Sequence, residues 1–276
     1  MSNIDSDQSN ESPILLNPHH DYKIHHNGIT RINTTNSHVM IGDISFERGE
    51  FVRAFEGYLN PGLARAPSRK FANPVPIGVA SFAMTLFCVS LTNIGARGVS
   101  NPAGFAGLML FYAGAIELLS GMWCFVMEAT WAATLLSSFA AFWLGYGCIS
   151  LDVFQVVSNY TEGQGTYNNF LGFWILAWAI FTSMMWITTL RSTWPMCVMV
   201  LLVVLTLIML CASEFTAVAA PVASVHLKQA GGYFGLITSV IAWFVLYEGL
   251  CTPENSYWVP PVLLLPGAVT AVKKDD

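Results

Sequence analysis

Charge is scarce in this chain. Only 11% of its 276 residues are Asp, Glu, Lys or Arg, and 54% are hydrophobic. A soluble domain carries roughly 25% charged residues. The little charge present is also segregated. Residues 1–72 hold seven Lys/Arg and eight Asp/Glu, whereas residues 73–271 hold three and seven, and residues 71–96 hold none. Other absences narrow the class further. There is no basic patch for a nucleic acid, no Cys-x-x-Cys, no His-x-x-x-His, no Gly-x-Ser-x-Gly and no pair of carboxylates spaced for acid–base work. The chain is therefore not read as an enzyme, and it implies no cofactor and no metal centre. His19-His20 and His25-His26 read as part of a solvated polar tail rather than as ligands. No internal repeat stands out, and the polar N-terminus does not resemble a cleavable signal peptide.

What is present is a set of long apolar runs. Hydrocarbon accepts an uncharged helix of about 20 residues and little else. The fold class that follows is an all-α membrane protein with six transmembrane helices per protomer and a cytoplasmic N-terminal tail. The helices are expected at about 74–92, 104–126, 130–150, 168–190, 194–213 and 231–251, the last preceded by a turn region from Glu214 to Gly231. Residues 1–50, rich in Asn, Ser, His and Asp, hold too little apolar surface to offset ordering and are read as disordered. Residues 51–72 form a juxtamembrane segment, with Phe51, Val52, Phe55, Tyr58 and Leu59 at helical spacing beside Arg53. The six-helix transmembrane domain spans 73–252, and 253–276 is a cytoplasmic C-terminal tail. Cys88, Cys124, Cys148, Cys197, Cys211 and Cys251 all lie in or beside apolar stretches and read as small packing residues. Trp123, Trp131, Trp174, Trp194 and Trp258 fall near proposed helix ends, as an aromatic belt does.

Lys/Arg near the helix ends set the orientation. With Arg65, Arg69, Lys70 and Arg191 on one side and Arg97 and Lys228 on the other, both termini are placed in the cytoplasm. The expected location is the plasma membrane. Lys273-Lys274-Asp275-Asp276 matches a dilysine pattern and offers the endoplasmic reticulum as the alternative. Asn159-Tyr160-Thr161 then falls in an outer loop as a glycosylation acceptor motif.

The seam between tail and membrane domain is Asn73-Pro74-Val75-Pro76-Ile77-Gly78-Val79. Proline suits the first helical turn, which needs no N–H donor there, and the Asn73 side chain can cap it. This stretch resembles the Asn-Pro-Ala-Pro-Leu-Gly-Leu signature of the acetate uptake transporter family, which holds the fungal acetate/ammonia permeases and the bacterial succinate–acetate permease. Asn73, Pro74, Pro76 and Gly78 carry the match. Further stretches agree in order: Gly107 to Tyr112 with Glu117 to Trp123, Ser137 to Trp143, Asn169 to Trp174, and Ala230 to Gly235 with Ala242-Trp243. Gly57 to Leu63 is similar to the fungal branch.

The resemblance implies a transporter or channel for acetate and similar small monocarboxylates, coupled to protons or passing the undissociated acid, and assembled as a homo-hexamer in membrane lipid. Ammonium export is the alternative within the class. A membrane sensor or regulator that has lost transport is the rival outside it. On the first helix, Gly78, Phe82, Thr85 and Val89 share a face. The resemblance puts a constriction at Phe82, at Phe139, where relatives carry Tyr, and in the Val203–Leu205 neighbourhood. Thr85, beside Phe82, and Tyr112, in the second-helix stretch, join them as candidate path residues. The sequence also departs from the family's pattern: Glu117 stands for Gln, Cys124 for Glu, Glu128-Ala129-Thr130-Trp131 for a Gly-Asn-Thr-Phe stretch, and Glu248 for a small residue. Glu117 lies mid-helix among Ala113, Gly114, Ser120 and Gly121. A carboxylate at that depth costs on the order of 2.5–3.5 kcal/mol, which makes Glu117 the proton-coupling candidate.

Overall fold

A computed structural model describes residues 32–34, 37–41, 44–47, 71–160 and 165–268. It divides into two compact units, with the boundary between Arg69 and Lys70. In the first unit, three short strands, β1 (Ile32–Thr34), β2 (His38–Ile41) and β3 (Ile44–Glu47), pair antiparallel in the order β1-β2-β3. His38 stands opposite Glu47 and Ile41 opposite Ile44. The expectation of a wholly unstructured 1–50 segment is corrected here. The runs Val39-Met-Ile and Ile44-Ser-Phe hold β-branched and aromatic residues that favour strands, even though the surrounding composition is polar. The His pairs at 19–20 and 25–26, the juxtamembrane face of 51–59 and the terminal dilysine lie outside the described residues.

Among the described residues of the second unit, six helices are long and apolar enough to cross a membrane: α1 (Val75–Asn93), α2 (Leu108–Val126), α3 (Thr130–Ser150), α4 (Thr166–Ile187), α5 (Trp194–Thr216) and α6 (Pro221–Leu250). Each starts where the chemistry of its first turn allows. Asn73 Oδ1 accepts the Val75 N–H at 3.1 Å ahead of α1, while α1, α5 and α6 all carry Pro in the first two positions. The sixth helix begins about ten residues earlier than expected, so the turn region from Glu214 to Gly231 is mostly helix. Pro221 starts it, and two reciprocal hydrogen bonds pin its first turn to α5: Ser213 Oγ to the Ser224 carbonyl at 2.9 Å, and Ser224 Oγ to the Ser213 carbonyl at 2.8 Å. At 30 residues it is about 45 Å long, more than the ~30 Å of hydrocarbon. Polar residues such as His226 and Lys228 therefore fit its first half without breaking it.

The first nine residues of α2, Leu108–Ile116, are wound as a π-helix, and Glu117 begins the α-helical remainder. Helix pairs approach closely where glycine faces a neighbour. A Cβ on Gly121 would strike the Oγ of Ser137 and its backbone on α3, and one on Gly235 would strike Ser90 on α1. This is the small-residue packing that lipid-embedded helices rely on. Trp174 does not belong to an aromatic belt. It lies nine residues into α4 and stacks on Phe142 at 4.9 Å between ring centroids, inside the bundle.

Candidate functional site

The centre of the bundle is aromatic. Phe82 on α1 meets Phe139 on α3 edge to face, with ring centroids 5.6 Å apart and planes at 82°. Phe139 in turn contacts Phe142 at 5.9 Å and Trp178 at 6.2 Å. Both rings are nearly fully buried, as is Val203 on α5. These three residues line two cavities at once, one on each side of them. They are brought together from α1, α3 and α5, so a plug at this level closes any route between the cavities.

The larger cavity, about 380 Å³, reaches from the constriction to the end of the bundle where α1 finishes. Its volume lies within the ~300–1,000 Å³ range of small-ligand sites. Its floor is apolar and aromatic, with Leu86, Val89, Phe142, Trp143 and Trp174. Its mouth is polar: Asn93, Asn101, Ser150, Asn168, Glu214 and Lys228 line it. The Asn168 Nδ2 amide donates to Glu214 Oε2 at 2.7 Å, which holds that carboxylate against α4. Lys228 makes no ion pair or hydrogen bond among the described residues, and its ammonium is the cationic group of this vestibule. Asp152, just beyond α3, braces the rim. It accepts the Val157 N–H and the Ser158 hydroxyl, both at 2.8 Å, and the Val157 bond foremost holds its carboxyl below the usual carboxylate range.

The smaller cavity, about 30 Å³, lies on the other side of the three residues. It has room for a water molecule. Val79, Leu135, Leu136, Met199, Val200, Thr182 and Glu117 complete its wall. Glu117 is 1% exposed, and its Oε2 has no hydrogen-bond partner among the described residues. The Thr182 hydroxyl on the same wall is occupied by the Trp178 carbonyl at 2.7 Å.

Not every residue singled out in the sequence falls here. Leu205, two positions from Val203, lines neither cavity. The same is true of Tyr112 and Thr85, and the Thr85 hydroxyl points to the Leu108 carbonyl at 3.5 Å. The signature motif also stands outside the path and joins helices. Ser120 Oγ donates to the Pro74 carbonyl at 2.7 Å, and a Cβ on Gly78 would come within 2.5 Å of that same Ser120 Oγ. Conversely, Trp143, Asn168, Glu214 and Lys228 line the vestibule without having been marked as path residues. Trp143 and Lys228 are visible in the sequence only as an apolar residue and a loop charge. Their convergence depends on which helix faces pack inward.

Three comparisons bear on this arrangement. The model of the GPR1/FUN34/yaaH family matches residues 55–267. The chain is 37% identical over 231 residues to ammonia transport outward protein 2 of Saccharomyces cerevisiae, covering 84% of this chain and 80% of that one. It is 34% identical over 222 residues to acetate permease A of Emericella nidulans, covering 78% and 74%. Among solved structures, the bacterial acetate channel SatP superposes with a TM-score of 0.59 at 21% identity, over 70% of this chain and 99% of that one.

Proposed function

Because the chain belongs to the GPR1/FUN34/yaaH family, we propose that it carries acetate and similar small monocarboxylates across a membrane, by a path inside each protomer. The observation that carries this reading is the constriction of Phe82, Phe139 and Val203, with a cavity on either side. A path narrowed by two phenyl rings excludes hydrated ions and suits a small organic acid with one apolar end. Lys228 at the mouth offers an arriving anion one ammonium, beside the Glu214 carboxylate that the Asn168 amide holds against α4. Glu117 behind the constriction is the proton site: a carboxyl that can change charge next to the route couples proton and anion movement. The acetate permease and acetate channel among its similar proteins support the same substrate class, and the ammonia transport protein sets ammonium as the alternative.

The assembly that fits is a homo-hexamer with one path per protomer. Exposed apolar side chains such as Phe111, Leu119, Phe173 and Ile180 supply surface for lipid and neighbouring protomers. We place both termini in the cytoplasm and the vestibule on the outer face of the plasma membrane. The test is uptake of labelled acetate, lactate, succinate and ammonium into vesicles containing the purified protein, measured against pH. Saturable acetate uptake that rises with an inward proton gradient supports the reading. Saturable ammonium flux without acetate flux replaces it with the alternative.

A further inference from the structure

Trp143 is 2% exposed, and its indole Nε1–H has no hydrogen-bond partner among the described residues. Leaving a buried donor unpaired is costly, and a native protein tolerates it where the group has another use. Trp143 is set apart from other such groups by its place. It lies one turn from Phe139 on α3, contributes to the vestibule floor with Nε1 itself sealed from open space, and contacts the Phe82 ring at 6.4 Å with planes at 63°. Trp186 also carries an unpartnered indole N–H, yet lines neither cavity.

We propose that the Trp143 indole N–H is the substrate-selecting hydrogen-bond donor of the path, uncovered and taken up by an oxygen of a carboxylate or carboxylic acid as the constriction opens to pass it. The inference rests on the transport reading above and deepens it by naming the chemical class selected. Phe139 brings no hydroxyl to this level, and neither does Phe82 or Val203. Thr206, one turn from Val203 on α5, lines the same cavity but spends its hydroxyl on the Leu202 carbonyl at 2.8 Å, so a carboxylate at the narrowest point meets no other free donor there among the described residues. An indole N–H donates only and accepts nothing. It therefore rewards a ligand with an acceptor oxygen and gives nothing to ammonium, which has no lone pair. The competing account is a weak N–H contact with the face of Phe142, whose ring stands at 81° and 5.1 Å.

The test compares wild type, Trp143→Phe and Trp143→His for labelled acetate uptake in vesicles. Loss of the donor in Trp143→Phe raises KM for acetate about tenfold, as one hydrogen bond to a charged acceptor predicts, with kcat and elution volume unchanged. Trp143→His, which again presents a ring N–H, recovers most of the loss. In ultraviolet resonance Raman of the wild type, an indole N–H band shifts on adding acetate and stays in place on adding ammonium chloride. That measurement decides the matter by itself if the variants do not assemble. An unchanged KM in Trp143→Phe, or no acetate-induced shift in the wild type, overturns the inference while leaving acetate transport standing. A wild type that takes up no acetate overturns both.

Discussion

Phe82 and Phe139 touch edge to face, and removing either ring opens the seam between the cavities. Phe82→Ala is expected to raise uptake of larger acids such as succinate several-fold, along with passive leak, at equal expression. Unchanged uptake of both acetate and succinate would reduce Phe82 to a packing residue. Glu117 offers a second test. Gln has nearly the same shape but cannot ionise, so Glu117→Gln keeps assembly and flattens the pH dependence of acetate uptake. A pH profile that overlays the wild type would make Glu117 a structural hydrogen-bonding group. At this scale the sequence was legible only where a family pattern points to a position. Phe82 and Phe139 are such positions, and the Val203–Leu205 neighbourhood is a looser one; of these, Phe82, Phe139 and Val203 meet in space. Thr85 and Tyr112 were inferred from a shared face and a shared motif, and their helix rotation turns them away from the cavities. Trp143 could not be singled out, because an indole in an apolar run looks the same whether or not its N–H is satisfied.

The helices were legible because hydrocarbon makes ionisable residues costly over a whole span, a constraint that few sequences come close to satisfying by accident. Their ends were less so. The first half of α6 contains His226, Lys228 and Gln229, which resemble loop chemistry but fit a helix that outlasts the membrane. The strands near residues 32–47 were hidden in a polar composition. The π-helical start of α2 has no sequence signature. Helix contacts give two further expectations. Gly121 lies against the Ser137 backbone, so Gly121→Val forces α2 and α3 apart. It is expected to cost ~1–3 kcal/mol and to lower the melting temperature and the yield of assembled protein, with α2–α3 contacts affected first. At the rim, Asp152 caps the short turn that carries Val157. Its carboxyl is held below the ordinary range, so the stabilisation is present above the unfolded carboxylate pKa and is lost as pH falls through the folded value. The protection factor of the Val157 amide, its exchange rate divided into the intrinsic rate at the same pH, should be constant across neutral pH and fall only in acid, below the ordinary carboxylate range. Asp152→Asn should lower it across neutral pH, toward the value the wild type reaches in acid, and equal protection at neutral pH would show that the carboxylate cap holds nothing.

Across the helical unit as a whole, polar groups and cavity size are arranged along one axis. The polar mouth, with Lys228 and the Asn168–Glu214 pair, stands at one end, the aromatic constriction in the middle, and Glu117 beyond it. Under the transport role proposed above, this order would bring a small acid from a polar mouth through an aromatic constriction towards a carboxyl group. The two cavities differ more than tenfold in volume, about 380 Å³ against about 30 Å³. That inequality has a pharmacological consequence. A bulky non-transported acid, such as a naphthoate, can lodge in the vestibule and obstruct acetate, but it finds no berth behind the rings. Blockade should therefore be sided: potent from the compartment facing the vestibule and weak from the opposite one. Vesicles sorted by orientation would reveal this, and equal potency from both sides would mean that the protein spends comparable time open to each.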